Sequence, residues 1–294
     1  MKMARILIDG EPFVARADGD ELVPVARDTH DGDNWLQWTS EFASLRPPIG
    51  PAVSLRDADF LPAVGAPEKI LAVGLNYLDH ARESNVELPK EPLLFVKTAN
   101  TLSAHGSIIR CPADLTSQPD YEAELAVVIG RRASQIAQSD ALSYVFAYTV
   151  ANDVSARDVQ FADDQWTRGK SFDTFLPIGP FLTLADSVND VGNLRIRSRL
   201  NGVTMQDANT GSMIFDVAYL VSYVSRFITL VPGDILLTGT PSGVGFARDP
   251  AVYLRDEDRI EIEIEGLGTL HNCVSTSPVG LLPETISPTV ESLA

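Results

Sequence analysis

The chain has 294 residues, 45% of them hydrophobic, enough to bury one large core or a core with an appendage, and too apolar for a disordered polymer. Forty Asp and Glu against 23 Lys and Arg leave a formal charge of -17, which repels nucleic-acid backbones and the anionic inner membrane leaflet, so neither is an expected partner. An anionic substrate would need a local positive site, made by a metal or by a few placed Arg and Lys.

The first residues, MKMARILIDG, reach Asp9 before a signal-like apolar core develops, and no apolar run attains the roughly 18–20 residues that span a bilayer, so a cytoplasmic protein is expected. Residues 4–26 read as short strands around Asp9-Gly10 and the polar stretch 18–20, followed by a polar helical segment. The stretches PPIGP (47–51) and LPAVGAP (61–67) suit neither helix interiors nor central strands. They place a boundary near Ala66, between a small N-terminal β-rich domain (1–66) and a larger domain (67–294).

In the larger domain KILAVG, ELAVVIG, YVFAYTVA, GPFLTL, LRIRSRLNG, DILLTG and RIEIEIEG are β-branched runs separated by turn signals, which predicts a predominantly β (α+β) fold. Met213–Thr229 has apolar residues at helical spacing and stops at Pro232-Gly233, predicting one packed amphipathic helix. The tail from Ser275 is proline-broken and predicted to be loosely ordered. Cys111 and Cys273 with His30, His80, His105 and His271 make neither a disulfide framework nor a zinc-ligand spacing. His271 and Cys273 alternate on a strand-like run, where core packing is the better reading.

The strand period of two puts Glu122 and Glu124 on one face together with apolar Ala126 and Val128, while Tyr121, Leu125, Val127 and Ile129 fill the other. Two like charges in a partly buried place are costly unless protonated or neutralised, and a divalent cation neutralises them directly. For an arbitrary Glu-X-Glu a solvated strand end is the commoner case; the apolar continuation narrows that margin without reversing it. Asp153, after the strand YVFAYTVA, reads alone as a turn residue or N-cap. Oxygen ligands without thiolate or imidazole suit Mg²⁺ or Mn²⁺ rather than Zn²⁺. In GLNYLDHARE a helical turn brings His80 and Glu83 together at i and i+3, a spacing that lets a carboxylate orient a histidine base, although the segment otherwise reads as a solvated surface turn. The loop LTGTPSGVG resembles a phosphate loop only superficially, lacking Gly-Lys-Ser/Thr and a following helix, so no nucleotide is expected there.

GLNYLDHARE, DYEAELAVVIG, ANDVSARDVQ, RGKSFDTFLPIGP and PGDILLTGTPSGVG, in this order over roughly residues 68–274, resemble the fumarylacetoacetate hydrolase family. The resemblance implies a mixed β-sandwich roll, usually homodimeric, with an N-terminal β unit. It implies metal ligation by Glu122, Glu124 and Asp153, substrate contacts from Arg157, Gln160, Lys170 and Thr240, and a His80-Glu83 dyad on a mobile lid. The family's frequent Lys-Pro pair stands here as Lys97-Thr98, a departure that leaves the role of Lys97 open. The expected reaction is divalent-metal-dependent cleavage of a C–C bond in a small 2,4-dioxo acid, releasing pyruvate: Mg²⁺ or Mn²⁺ (with Ca²⁺ able to occupy the site) chelates the oxo-acid end, Lys170 stabilises the enolate, and the dyad activates water. Decarboxylation of oxaloacetate or isomerisation of an unsaturated oxo-diacid uses the same enolate without that water; a silent metal- or acid-binding protein is the alternative of another class. Segment 84–96 and the loop from Asp207 to Ser212 are expected to set substrate identity.

Overall fold

The computed structural model describes residues 1–28, 36, 38–83 and 86–278. His30, most of the segment expected to be helical after residue 26, and the tail from 279 lie outside them; Ser40–Leu45 forms a short helix capped by Thr39, whose hydroxyl accepts from Phe42 N. The start of the tail is held, since Ser275 closes a strand and its carbonyl accepts from Cys111 N at 2.7 Å.

The predicted runs form two sheets. In the larger, the ladder passes from Lys2–Ile8 through Leu182–Leu184, Val145–Asn152, Ala123–Ile129 and Ile235–Leu237 to Ile70–Gly74 and the edge strand Leu93–Lys97. Glu11–Asp18 and Glu21–Arg27 extend it beyond Lys2–Ile8, so the N-terminal strands continue the main sheet through the pairs Lys2↔Thr183 and Met3↔Leu182. The second sheet joins Val203–Asn209, Arg195–Leu200, Arg259–Ile264, Gly268–Ser275 and Ile108–Arg110. Both faces of Ala123–Ile129 are buried: Leu125, Val127 and Ile129 join the core that includes Ile196, Ile260 and Ile262 of the second sheet, whereas Ala126 and Val128 pack with Met3, Val14 and Val25. That is why this strand reads as a continuous apolar run.

Two expectations need correction. The helix is shorter than its apolar pattern, Val217–Ser225, because Asp216 caps it by accepting from Tyr219 N and because Ile214 N and Phe215 N donate to Asn76 instead of entering a helix. His271 and Cys273 face outward, since the alternation turns Leu270, Asn272 and Val274 into the core.

His105 links the two parts of the sequence, edge-on to Phe60 and to His271, with its Nδ1 accepting from His271 N at 3.2 Å. Burial, with a smaller repulsion from His271, holds its pKa down to about 4 from 6.5. Between those values the unfolded chain binds the proton and the folded chain does not, so stability present at neutral pH is lost as pH falls through that window. His105→Asn should therefore flatten the decline of Tm between pH 6.5 and 4 relative to the parent; parallel curves would assign the decline to the carboxylates alone.

Candidate active site

Antiparallel pairing of Ala123 with Asn152 sets the start of one strand against the end of the next, and Asp153 N donates to Glu122 O at 3.0 Å. This register brings Asp153 to the two glutamates, so that one oxygen from each of Glu122, Glu124 and Asp153 lies within 4.8 Å of the others, all buried. Glu124 Oε2 accepts from Gly239 N at 2.9 Å. Gly239 has φ +91, and a Cβ there would lie 2.9 Å from Asn76 Cβ, so glycine is what lets the amide reach the carboxylate.

Three cations brace the triad. Lys170 Nζ donates to Glu122 Oε2 and Asp153 Oδ2, each at 2.7 Å. Lys97, at the inner face of the edge strand, donates to Asp153 Oδ1 at 2.6 Å, to Val154 O at 3.2 Å and to Lys170 O. Its three N–H groups are thus used in fixing Asp153 and the backbone of Lys170, which answers the question left by the missing Lys-Pro pair. Arg157 Nε donates to Asp120 Oδ2 at 2.9 Å and Nη1 to Gln160 Oε1 at 3.0 Å, while Nη2 sits 2.7 Å from Glu122 Oε1, an ion pair off the N–H direction.

Burial raises the Glu122 carboxyl, but Lys170 and Arg157 outweigh it and hold the group ionised. Glu124 is different: burial, then Asp153 and Glu122, push its pKa well above the ordinary carboxyl value, and no ion-pair partner within 4 Å faces it among the described residues. Burial lowers Lys97 despite Asp153, whereas in Lys170 the attraction of Asp153 and Glu122 overcomes burial and raises the pKa. Four buried carboxylates, Asp120, Glu122, Glu124 and Asp153, stand against Lys97, Arg157 and Lys170. The cluster is one positive charge short, and the deficit falls at Glu124. Hard oxygen donors with an uncompensated carboxylate fit a divalent cation.

The predicted helical turn exists as Leu78–Glu83, with His80 Nδ1 2.7 Å from Glu83 Oε1. It is no solvated surface turn: His80 and Ala81 are buried, as is Tyr77 just before them. Two bonds latch it down, from Gly243 N to Glu83 Oε2 at 2.9 Å and from Ser242 Oγ to Asp79 Oδ2 at 2.6 Å, while within the turn His80 N donates to Asp79 Oδ1 at 2.9 Å. The glycine-rich loop after Leu237 spends its amides on the protein's own carboxylates: Gly239 on Glu124, Gly243 on Glu83, and Gly245 and Phe246 on Asp120 at 2.7 and 3.0 Å. The superficial likeness to an anion-binding loop has this physical basis.

His80, Glu122, Glu124, Arg157, Gln160, Lys170 and Thr240 line one cavity of about 240 Å³. Glu83 and Asp153 stand behind this wall, bonded to His80 and Lys170. Sequence reasoning missed Asp120 and Gln206. Asp120 ties Arg157 to the loop of Phe246, and the strand position two residues before Glu122 was its only signal. Gln206 donates to Thr240 Oγ1 at 2.7 Å and accepts from Ala123 N and Ser198 Oγ, far from Thr240 in sequence. Of the segments expected to set substrate identity, Val86 and Phe95 line the cavity; none of residues 207–212 does, and Asp207 instead pairs with Arg195 on the surface.

Glu122, Glu124 and Asp153 form a buried carboxylate triad that could hold a divalent cation, bordered by the His80-Glu83 turn. Residues 69–275 match the family described as fumarylacetoacetate (FAA) hydrolase C-terminal, and the chain belongs to that family. It is 47% identical over 226 residues, 76% of this chain and 72% of the relative, to the mitochondrial oxaloacetate tautomerase FAHD2A of Bos taurus. It also resembles the crystal structure of 2-hydroxyhepta-2,4-diene-1,7-dioate isomerase from Mycobacterium marinum, with 33% identity, TM-score 0.76 and coverage of 94% of this chain and 98% of that one. The fumarylacetoacetate hydrolase of psychrophilic Exiguobacterium antarcticum gives 34% identity, TM-score 0.82 and coverage of 94% and 99%. Among the described residues no helix is long and apolar enough to cross a membrane.

Proposed function

We propose that this protein enolises a small 2-oxo acid at a divalent-cation centre, moving a proton between C3 of the substrate and His80, as in the tautomerisation of oxaloacetate. The observation that carries this reading is the His80-Glu83-Gly243 relay bordering the same cavity as the carboxylates and Lys170. With Nδ1 engaged by Glu83, Nε2 is the atom left to take the proton, and Glu83, fixed from behind by Gly243 N–H, steadies the imidazolium that forms. Arg157 and Gln160 orient the substrate carboxylate. Thr240, whose oxygen accepts from Gln206, keeps its own proton to donate. Glu122, Glu124 and Asp153 would hold Mg²⁺ or Mn²⁺, with Ca²⁺ also able to occupy those oxygens, and the bound ion would supply Lewis acidity at the 2-oxo group. Lys170 adds an ammonium to that place.

A tautomerase needs only this one base and the place where negative charge gathers. The tautomerase and isomerase names of the relatives favour it, because both reactions shift a proton without breaking the carbon chain. The similarity to a fumarylacetoacetate hydrolase favours a second reading, in which the same dyad deprotonates water for C–C cleavage of a 2,4-dioxo acid.

The test uses metal-stripped protein with Mg²⁺ returned, in D₂O, on oxaloacetate, acylpyruvates and fumarylpyruvate. Measured as the excess over a protein-free control with Mg²⁺, deuterium at C3 without fragmentation marks the tautomerase, pyruvate with the matching acid the hydrolase, and pyruvate with CO₂ a decarboxylase. Glu122→Ala should bring every channel down to the rate of a protein-free Mg²⁺ control; exchange well above that rate in the variant would falsify the cation-centred reading. Silence of the parent across the whole panel would instead favour a binding protein.

A further inference from the structure

Besides the polar side chains and Val73 and Gly74, the cavity is lined by apolar Leu75, Val86, Phe95, Phe161, Trp166 and Phe246. At its outer rim Phe161 is 58% and Val86 46% exposed, uncovered apolar surface beside a site built for acids. The position of Trp166 depends on residue 74 being glycine, since a Cβ there would lie 2.5 Å from Trp166 Cζ3. The indole packs edge-on against Phe95 at 5.4 Å, and Phe95 carries the Lys170 ammonium 5.1 Å from its ring centre. The wall is thereby fixed relative to the charged floor.

Charge defines what this wall can accept. The two Lys or Arg side chains lining the cavity among the described residues are Arg157 and Lys170, and both are committed to carboxylates. Residues 84 and 85, next to Val86, are Ser and Asn and carry no charge. A second carboxylate carried out over the aromatic wall would lose hydration without meeting a cation, whereas an alkyl or aryl group there leaves water and gains contacts.

We propose that this wall is a subsite for an uncharged, apolar substituent on the chain beyond the 2-oxo acid, and that Trp166, seated over Gly74, sets the length accepted. The inference rests on the enolising reading above, because that reading fixes which end of the substrate lies at the triad.

The experiment measures deuterium exchange at C3 by proton NMR in D₂O with Mg²⁺, for 2-oxobutanoate, 2-oxohexanoate, 4-phenyl-2-oxobutanoate and 2-oxoglutarate, with oxaloacetate as the control for enolisation itself. In the parent, kcat/KM for 2-oxohexanoate should exceed that for 2-oxoglutarate by about tenfold or more, the scale of one or two buried methylenes. Trp166→Ala should shift preference toward the phenyl substrate. Gly74→Ala, which drives the indole off its seat, should shift preference toward 2-oxobutanoate. Exchange of oxaloacetate together with equal rates on 2-oxohexanoate and 2-oxoglutarate, or with a length preference unmoved in both variants, overturns the subsite and leaves the enolising reading standing. No exchange above the protein-free rate with any substrate, oxaloacetate included, overturns both.

Discussion

Glu83→Gln should cut C3 proton exchange by roughly 10²–10⁴-fold, as should His80→Ala, with cation affinity kept near that of the parent. The glutamine is almost isosteric and its oxygen can still accept from Gly243 N, which now donates to Glu83 Oε2. Its amide nitrogen then faces His80 Nδ1, where a carboxylate oxygen stood at 2.7 Å. An amide N–H donates to Nδ1 and forces the imidazole proton onto Nε2, so the base is lost with its position intact. The loss should fall on kcat more than on KM, because neither residue is assigned to holding the substrate carboxylate. Titration of the variant with Mn²⁺ separates the two roles: normal affinity with lost exchange supports a proton relay, while lost affinity would make the turn a structural prop of the metal site.

Glu124→Gln should move stability in opposite directions with and without the cation. In the metal-free protein Glu124 is the carboxyl without a cation against it, its pKa raised by burial and then by Asp153 and Glu122. A folded-state pKa above the unfolded value means that the fold binds a proton the unfolded chain has released, so the group lowers stability progressively as pH rises past the unfolded carboxyl range. Glutamine can accept from Gly239 N without that penalty, and metal-free Glu124→Gln should be more stable than the metal-free parent at pH 7 by roughly 1–3 kcal/mol. Saturating Mg²⁺ or Mn²⁺ should stabilise the parent by about 2.7 kcal/mol at roughly 100 times Kd, a rise of several degrees in Tm, and should leave the variant almost unmoved. A metal-free variant less stable than its parent would mean that Glu124 already has a compensating partner.

The shared face of the carboxylate pair was legible from a strand of period two, and the apolar residues on both faces weighed against a solvated strand end without outweighing it, so the resemblance was needed to make the pair metal ligands. The His80-Glu83 contact was legible because helical spacing alone puts the two side chains together. Asp153 and Lys170 had no such local signature, and the family resemblance was needed to single them out. Lys97 stayed open for the same reason: nothing near it in sequence shows that its ammonium ends on Asp153, 56 positions later. Gln206 and Asp120 were invisible because a side chain that fixes a backbone amide on another element leaves no periodicity in its own segment.

Two physical limits divide this protein. Period and turn chemistry act within a few residues of each other, so the sequence by itself determined the strands, the exposed hairpin turns, the shared face of Glu122 and Glu124, and the histidine turn. Which face of a strand is buried depends on the partner sheet, and so the outward turn of His271 and Cys273 was decided only when Leu270 and Val274 packed inward. The helix began only at Val217 because Asn76 captured the amides of Ile214 and Phe215 before it. The electrostatic balance of the site was also a tertiary matter, since Lys97, Arg157 and Lys170 converge on the triad from three separate elements and still leave Glu124 without its counter-charge.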